Sequence, residues 1–309
     1  MSQSTVLGAP EIIFGFDDRY PVDIMVKDSI AILVEVKNNT SLIALNLEKK
    51  EILKYFGRHG KGPEDVLSPD FVPAASTGDF IFIHDYNLGK VMKIHLKGKD
   101  RFKMEKVEDY PKGSGGLSLS SGYDVYRTAE LKGDAMFYIH NRTGDSTVNV
   151  DYYPEVKGLF AINTMLAPVL ALNVPENRIM AGMYFIDMFS LYDLTGKRLK
   201  SVYFSDNYIP AIDENEQSFD LQKGYSSVKP YPTNDFCYFL RRTEANDEIK
   251  EAHLIQTDWN GNPVKSYIIP DSDIHGGFCI DETSKKMYTF KHSIIDDNEI
   301  FYLAAYSLH

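Results

Sequence analysis

The residues with the most evident capacity for chemistry lie in the stretch GRHGKGPEDVLSP, residues 57–69. Arg58, His59 and Lys61 bring basic side chains, and the glycines around them, Gly57, Gly60 and Gly62, leave backbone N–H groups accessible. Successive N–H groups in such turns form concavities that bind anions. The alternative is a structural crossover, because Gly and Pro are first of all turn residues. The stretch matches neither the phosphate-binding pattern G-x-x-x-x-G-K-[ST] nor the dinucleotide pattern G-x-G-x-x-G.

Further polar loops are expected on the same face of the molecule. Their candidate ligand-binding residues, added to Arg58, His59 and Lys61, are His84, Asp85, Tyr86, Arg241, Arg242 and His292. Arg binds carboxylates through two parallel hydrogen bonds, and aromatic rings line small-molecule sites. The set therefore predicts an acidic or sugar-like ligand. The alternative is a solvated loop face, since surface loops collect polar residues.

A calcium-loop pattern occurs at DSDIHGGFCIDE, residues 271–282. The positions that match places 1, 3, 5, 6 and 12 of such a loop are Asp271, Asp273, His275, Gly276 and Glu282. Histidine is a poor calcium ligand, Pro270 precedes the pattern, and strands flank it instead of helices. A chance match is the preferred interpretation.

Catalytic motifs are missing from the sequence. It contains no G-x-S-x-G and no H-E-x-x-H, and its Cys and His spacing does not indicate zinc. A carboxylate pair for glycoside hydrolysis cannot be selected among 44 acidic residues. The sequence therefore predicts no catalytic residues.

The elements that would position these residues repeat along the chain. Four segments align on a short hairpin: LIALNLEKKEIL (42–53), VMKIHLKGKDRF (91–102), FSLYDLTGKRLK (189–200) and LIQTDWNGNPVK (254–265), with LAAYSLH at the chain end. Leu47, Leu96, Leu194, Trp259 and Leu308 share one column. The column recurs after 49 residues, then 98, 65 and again 49. A weak copy is therefore expected around residues 134–150, and an acidic insertion at 205–225.

Each copy also contains an earlier apolar strand, such as SIAILVEV or DFIFIHDY. Long helical periodicity is absent, and about fifty residues per four-stranded unit is typical of a β-propeller. The prediction is an all-β six-bladed β-propeller with four-stranded antiparallel blades, forming a single domain over residues 1–309. The last copy stops after its third strand, so EIIFGFD (11–17) is expected to close that blade as its outer strand.

The step Gly60-Lys61-Gly62-Pro63 after the first blade, with hairpins of the LYDLTGK type, resembles the TolB-like six-bladed propellers of Bacteroides-type bacteria, which are similar in turn to the NHL-repeat group. Many of these relatives read G-x-G-P-G-E, whereas Glu64 and Asp65 follow Pro63 here. The resemblance implies a cell-envelope or lipid-anchored protein of unassigned activity. It supplies no catalytic residues.

Some six-bladed propellers are lactonases that hold one calcium ion in the central channel. Glu35, Asp85 and Asp281 are the acids considered for such a site, and the sequence ranks none of them. We therefore expect no cofactor, with calcium as the one that the sequence leaves open.

Composition excludes several classes of partner. The net charge of −11 and the lack of a basic stripe argue against nucleic acid. No run approaches the ~20 apolar residues of a transmembrane helix. The start MSQSTVLGAP does not look like a signal peptide. A periplasmic or lipid-anchored location follows from the resemblance if a leader was removed, and a cytoplasmic one otherwise. Cys237 and Cys279 are interpreted as buried thiols, with one disulfide as the alternative.

Two functions remain. The first is a non-enzymatic binding module, a monomer that recognises a carbohydrate, peptide or protein partner on the crossover-loop face. The second is a calcium-dependent hydrolase, lactonase or lyase acting in the central channel. The missing catalytic motifs favour the first, so the protein is more readily interpreted as a binder than as an enzyme.

Overall fold

The computed structural model describes residues 4–120, 122–128, 134–160, 162–246, 248–270, 273–295 and 298–309. Strands dominate this part of the chain. Its helical segments are one short α-helix, Ile162–Met165 (α1), and 3-10 turns at Pro73–Ala75 and Leu221–Lys223. The chain falls into two compact units, unit I (7–112 and 273–309) and unit II (1–6 and 113–272). The prediction of a single domain stays a prediction.

Unit I contains three four-stranded antiparallel sheets. Blade 1 comprises β3 Pro21–Lys27, β4 Ile30–Glu35, β5 Thr40–Asn46 and β6 Glu51–Arg58. Blade 2 comprises β7 Pro69–Phe71, β8 Phe80–Asp85, β9 Lys90–His95 and β10 Met104–Asp109. Blade 6 comprises β25 Ile274–Asp281, β26 Lys286–Ile295, β27 Asn298–Ser307 and β2 Glu11–Asp17.

Unit II contains the other three sheets and a small hairpin. Blade 3 comprises β11 Ser114–Ser120, β12 Tyr123–Thr128, β13 Phe137–Asn141 and β14 Ser146–Val150. Blade 4 comprises β15 Pro168–Asn173, β16 Arg178–Met183, β17 Met188–Tyr192 and β18 Arg198–Tyr203. Blade 5 comprises β21 Tyr225–Pro232, β22 Cys237–Ala245, β23 Glu248–Thr257 and β24 Pro263–Ile269, with β1 Thr5–Val6 added in parallel to β24. The hairpin is β19 Ile212–Asp213 with β20 Ser218–Phe219.

These six sheets are the blades of a six-bladed β-propeller, which confirms the predicted fold class. The weak third copy is β13 with β14, and the 205–225 insertion lies between blades 4 and 5 and carries the small hairpin. Strands in the middle of a blade are buried on both faces, as β4 and β17 show. This burial explains their consecutive apolar residues, because both faces of such a strand pack against neighbouring sheets.

The N-terminal strand closes the last blade as predicted. Strand β2 pairs with β27 in antiparallel register, from Glu11 opposite Ala305 to Asp17 opposite Ile300. Phe16 packs into the core of this blade against Phe14 and Phe290. Strand β27, which would otherwise present unpaired backbone groups, is thereby covered on its outer side.

The polar residue before the repeat column has a local role. The side-chain oxygens of Asn46, Asp193 and Asp258 accept hydrogen bonds from backbone N–H groups two to four residues later. Such bonds are typical of Asx turns, which hold a hairpin closed. The second copy differs from the prediction, because its outer strand begins only at Met104. Turns at Gly98–Arg101 and Asp100–Lys103 lengthen that connection.

Two further expectations concern cysteine and the membrane. Cys237 and Cys279 are both free and buried, which confirms their interpretation as thiols that act as small hydrophobes. Among the described residues, no helix has the length and apolar character needed to cross a membrane.

Candidate functional site

The glycine-rich crossover after β6 is built around one carboxylate. Asp65 accepts hydrogen bonds from Arg58 Nε (3.2 Å) and Nη2 (3.3 Å) and from the Gly62 backbone N–H (2.8 Å). The hydrogen bond from Arg58, followed by that from Gly62, lowers the pKa of Asp65. A Cβ atom on Gly62 would lie 2.7 Å from Asp65 Oδ2, so glycine is needed there for a close approach. The loop thus folds over its own acidic residue.

Lys90, at the start of β9, fixes the same crossover by hydrogen bonds to its backbone. Its Nζ donates hydrogen bonds to the backbone carbonyls of Asp65 (2.7 Å), Gly62 (3.3 Å) and Pro63 (3.4 Å). Burial lowers the pKa of Lys90, and the charges of Asp85 and Asp65 oppose that shift. A buried ammonium is tolerated here because its donors are satisfied by carbonyl oxygens.

Asp85 fixes the end of the crossover to blade 2. Its fully buried carboxylate accepts hydrogen bonds from the backbone N–H groups of Leu67 (2.5 Å), Ser68 (3.2 Å) and Leu88 (2.9 Å). Asn87 Nδ2 adds a hydrogen bond of 2.7 Å to Ser68 Oγ. The crossover and the β8–β9 turn therefore form one rigid wall.

In blade 1, Glu35 fixes the β4–β5 loop in the same way through its buried carboxylate. It lies at the end of β4, its side chain is inaccessible to solvent, and Arg19 Nη1 lies 3.1 Å from its Oε1. Its Oε2 accepts hydrogen bonds from Lys37 N–H and from Asn38 Nδ2, each at 3.3 Å. The β4–β5 loop is thereby held in place.

A cleft of about 230 Å³ lies between these two walls in unit I. We call it the blade 1–2 cleft. Its lining comprises Val22, Val34, Glu35, Val36, Asn38, Ser41, His59, Leu67, Ser68, Pro69, Asp70 and Tyr86. Hydroxyl, amide, imidazole and carboxylate groups are combined there with one exposed aromatic ring, that of Tyr86. This combination can hold a small polar group by hydrogen bonds while an aromatic face packs against its apolar side.

Two of the sequence-predicted residues, His59 and Tyr86, meet in this cleft. Arg58 points its guanidinium to Asp65, and Lys61 is exposed on the crossover outside the cleft lining. Asp85 lies behind the cleft wall, bound to backbone groups.

Two predicted histidines occupy other places in unit I. His84 is 1 % exposed, its ring meets that of Tyr110 edge to face, and the described residues offer neither ring nitrogen a hydrogen-bond partner. His292 stacks on Phe301 with ring centroids 4.8 Å apart.

The other two predicted arginines, Arg241 and Arg242, belong to unit II. Arg241 binds Asp187 through two hydrogen bonds, Nε to Oδ1 at 2.7 Å and Nη2 to Oδ2 at 2.8 Å, and this contact raises the pKa of Arg241. Arg242 Nε lies 3.7 Å from Glu244 Oε1. The grouping of all nine predicted residues in one ligand site stays a prediction.

Sequence reasoning did not select Ser41, Ser68 or Asp70 as ligand-binding residues, and it considered Glu35 only for a calcium site. Ser41 lies near the start of β5 and Asp70 in the short strand β7, and each position taken alone indicates a structural residue. Both line the same cleft only because blade 1 packs beside blade 2, and the sequence pattern of a single blade does not show this packing.

The acids considered for calcium have other partners. Asp281 accepts hydrogen bonds from Thr283 N–H and Ser284 Oγ, and Glu35 and Asp85 are bound as described above. In the calcium-loop pattern, Asp273 lies 3.4 Å from Lys291 Nζ, while Asp271 falls outside the described residues. Within the part of the chain that the structure describes, no cluster of three metal-ligating side chains occurs.

The sequence matches a known family of six-bladed propellers over most of its length. The profile of a family described as TolB-like 6-blade propeller-like matches residues 3–283. A search of curated proteins found no match.

Among solved structures, a member of the DUF4221 family from Bacteroides vulgatus is 12 % identical, with 99 % of this chain and 97 % of that chain covered and a TM-score of 0.60. A Bacteroides fragilis protein described as exported is 13 % identical, with 97 % and 98 % covered and a TM-score of 0.53. A luciferin-regenerating enzyme is 9 % identical, with 96 % and 95 % covered and a TM-score of 0.51. At these identities the likeness concerns the fold alone.

Proposed function

The chain belongs to the TolB-like six-bladed propeller family, and from that premise we propose that it is a non-enzymatic binding module. It recognises a carbohydrate, peptide or protein partner on the crossover-loop face. In unit I this face carries the β4–β5 loop, the 59–68 crossover and the β8–β9 turn. The blade 1–2 cleft is the place where a group of the ligand is held.

One observation carries this proposal: the blade 1–2 cleft is a preformed polar recess with an aromatic edge. Its walls are held by hydrogen bonds that Glu35 and Asp85 accept from their own loops, so the recess exists before any ligand arrives. A preorganised site loses less conformational entropy on binding than a flexible one. Its volume of about 230 Å³ is below the ~300–1,000 Å³ of sites for drug-sized ligands. It therefore suits a single ring or side chain of a larger partner.

The test is a binding screen with soluble oligosaccharides and peptides, read by thermal shift and then by calorimetry. A ligand of the folded state raises the melting temperature by mass action. Tyr86→Ala removes the exposed aromatic edge and should weaken the affinity about tenfold or more, since truncation of an anchoring aromatic residue costs ~2 kcal/mol or more and tenfold corresponds to ~1.4 kcal/mol.

The matched control is Tyr184→Ala. Tyr184 is also an exposed tyrosine, but it lies in unit II and contacts Phe185. This variant should bind as the wild type does. Equal affinities of the wild type and Tyr86→Ala for every ligand found would overturn the assignment of the cleft.

A further inference from the structure

We propose that the group held in the blade 1–2 cleft is a neutral, hydroxyl-bearing ring, so that the ligand is an uncharged carbohydrate. This inference rests on the proposed function and narrows it to one chemical class. It keeps the sugar-like half of the sequence-based expectation and departs from the acidic half, because Arg19, Arg58 and Lys90 have internal partners.

Three cations close to the cleft are bound within the protein. Arg58 is bound to Asp65 by two hydrogen bonds, and Arg19 is paired with Glu35 at 3.1 Å. The Nζ of Lys90 is surrounded by three backbone carbonyls. The lining residues, which all fall within the continuously described range 22–86, include neither Lys nor Arg. A carboxylate ligand would thus find no lysine or arginine in the lining to pair with.

The carboxylates in and behind the cleft walls also have partners within the protein. Glu35 is paired with Arg19, and Asp85 accepts hydrogen bonds from the backbone N–H groups of the crossover. An ionic ligand would have to compete with these internal contacts. A hydroxyl group suits such a lining better, because it donates a hydrogen bond to a carboxylate and accepts one from a hydroxyl or imidazole.

The remaining lining suits the other surface of a sugar ring. Tyr86 offers an aromatic ring, and Val36, another lining residue, is 63 % exposed. The C–H side of a pyranose is apolar, while its edge carries hydroxyl groups. Ser41 and Ser68 add hydroxyl groups that both donate and accept, and His59 adds a ring nitrogen. One aromatic face with several short polar side chains matches a ring of that mixed character.

The experiment compares three matched sets of probes by calorimetry, at low and at high ionic strength. They are neutral hexose oligosaccharides, the corresponding uronic-acid oligosaccharides and the corresponding amino-sugar oligosaccharides. The wild type should bind at least one neutral probe and bind its uronic-acid counterpart at least tenfold more weakly. Because the ligand is uncharged, added salt should change its affinity by less than twofold. Tyr86→Ala should weaken binding at least tenfold, and Tyr184→Ala should leave it intact.

Asp70→Asn separates a neutral ligand from a cationic one. It keeps an oxygen acceptor, so the affinity for a neutral sugar should fall by less than about tenfold. Loss of an amino-sugar complex in Asp70→Asn, with binding that weakens as salt rises, would mean that the cleft selects cations and would overturn the inference. Tighter binding of a uronic acid that still depends on Tyr86 would also overturn it, while the proposed function would stand. Failure of every sugar probe to bind would overturn the inference alone, because the proposed function also admits a peptide or protein partner. Binding that is unchanged in Tyr86→Ala would count against both.

Discussion

At the scale of single residues, His84 links stability to pH. Its imidazole is buried without a hydrogen-bond partner among the described residues, and burial lowers its pKa from 6.5 to about 4, against the opposing charge of Asp85. The unfolded chain therefore takes up this proton more readily than the folded one. Above pH ~6.5 the imidazole is neutral in both states and costs the folded protein no stability. As the pH falls toward ~4, proton uptake by the unfolded chain lowers the free energy of unfolding by up to about 3 kcal/mol, at ~1.4 kcal/mol per pKa unit.

We expect the free energy of unfolding of His84→Leu to fall less than that of the wild type when the pH is lowered. The measurement is urea unfolding of the wild type and of His84→Leu at pH 7.5 and about pH 4.5. The matched control, Ile83→Val, alters a buried neighbour on the same strand that does not titrate, so its cost should be equal at both pH values. An undiminished loss of stability in His84→Leu would show that other groups cause the acid sensitivity.

Lys90 makes a second prediction at this scale. Lys90→Met keeps the alkyl stem but leaves three carbonyl oxygens of the crossover without their donor. Buried polar groups without partners cost about 1–3 kcal/mol in the free energy of unfolding. Urea unfolding should show a loss of this size. Lys61→Met, at an exposed position of the same loop, should change the free energy by less than about 0.5 kcal/mol.

At the scale of elements, strand β2 is expected to stabilise blade 6. Phe16→Ala should lower the free energy of unfolding by about 3–5 kcal/mol, because a large buried ring leaves a cavity. Ile12→Ala on the same strand is the control, since Ile12 is 44 % exposed and its truncation should cost little. Similar losses for both variants would mean that the strand acts through its backbone alone.

The crossover is the element that joins the site to the fold. Asp85→Asn exchanges one acceptor oxygen for an amide and weakens the hydrogen bonds to Leu67 and Ser68. Since these residues form one wall of the cleft, we expect weaker ligand binding and faster amide exchange at Leu67 and Ser68. Unchanged exchange at these two amides would show that the carboxylate does not hold the wall.

At the scale of the whole molecule, the calcium alternative is tested by the melting temperature. Glu35, Asp85 and Asp281 have internal hydrogen-bond donors, so we expect millimolar calcium or a chelator to leave the melting temperature unchanged. Stabilisation by calcium that the chelator reverses would favour the hydrolase or lactonase instead.

The repeated hairpins of the fold could be predicted, because their apolar residues recur at regular intervals in the sequence. The spacing of Leu47, Leu96 and Trp259 revealed the repeat, because each hairpin carries a large apolar residue at the same place, preceded in three copies by an Asx turn. The second hairpin was predicted too short, since the two successive turns before Met104 have no marked sequence signal. Within the site, His59 and Tyr86 were found because they flank obvious turns, whereas Ser41 and Asp70 lie inside strands.

By itself, the sequence determined the class of fold, the number of blades and the strand that closes the last one. The fold class and the number of blades follow from the pattern of apolar residues within each strand and from the recurrence of that pattern at each repeat. Both patterns are visible along the sequence over a few residues or one repeat length. Only the tertiary structure decided which basic groups have internal partners. Arg58 and Asp65 are seven residues apart, Lys90 is 25 residues from Asp65, and Arg241 is 54 from Asp187. An ion pair depends on distance in space, so the same arginine reads as a ligand-binding residue in the sequence and as a structural one in the fold.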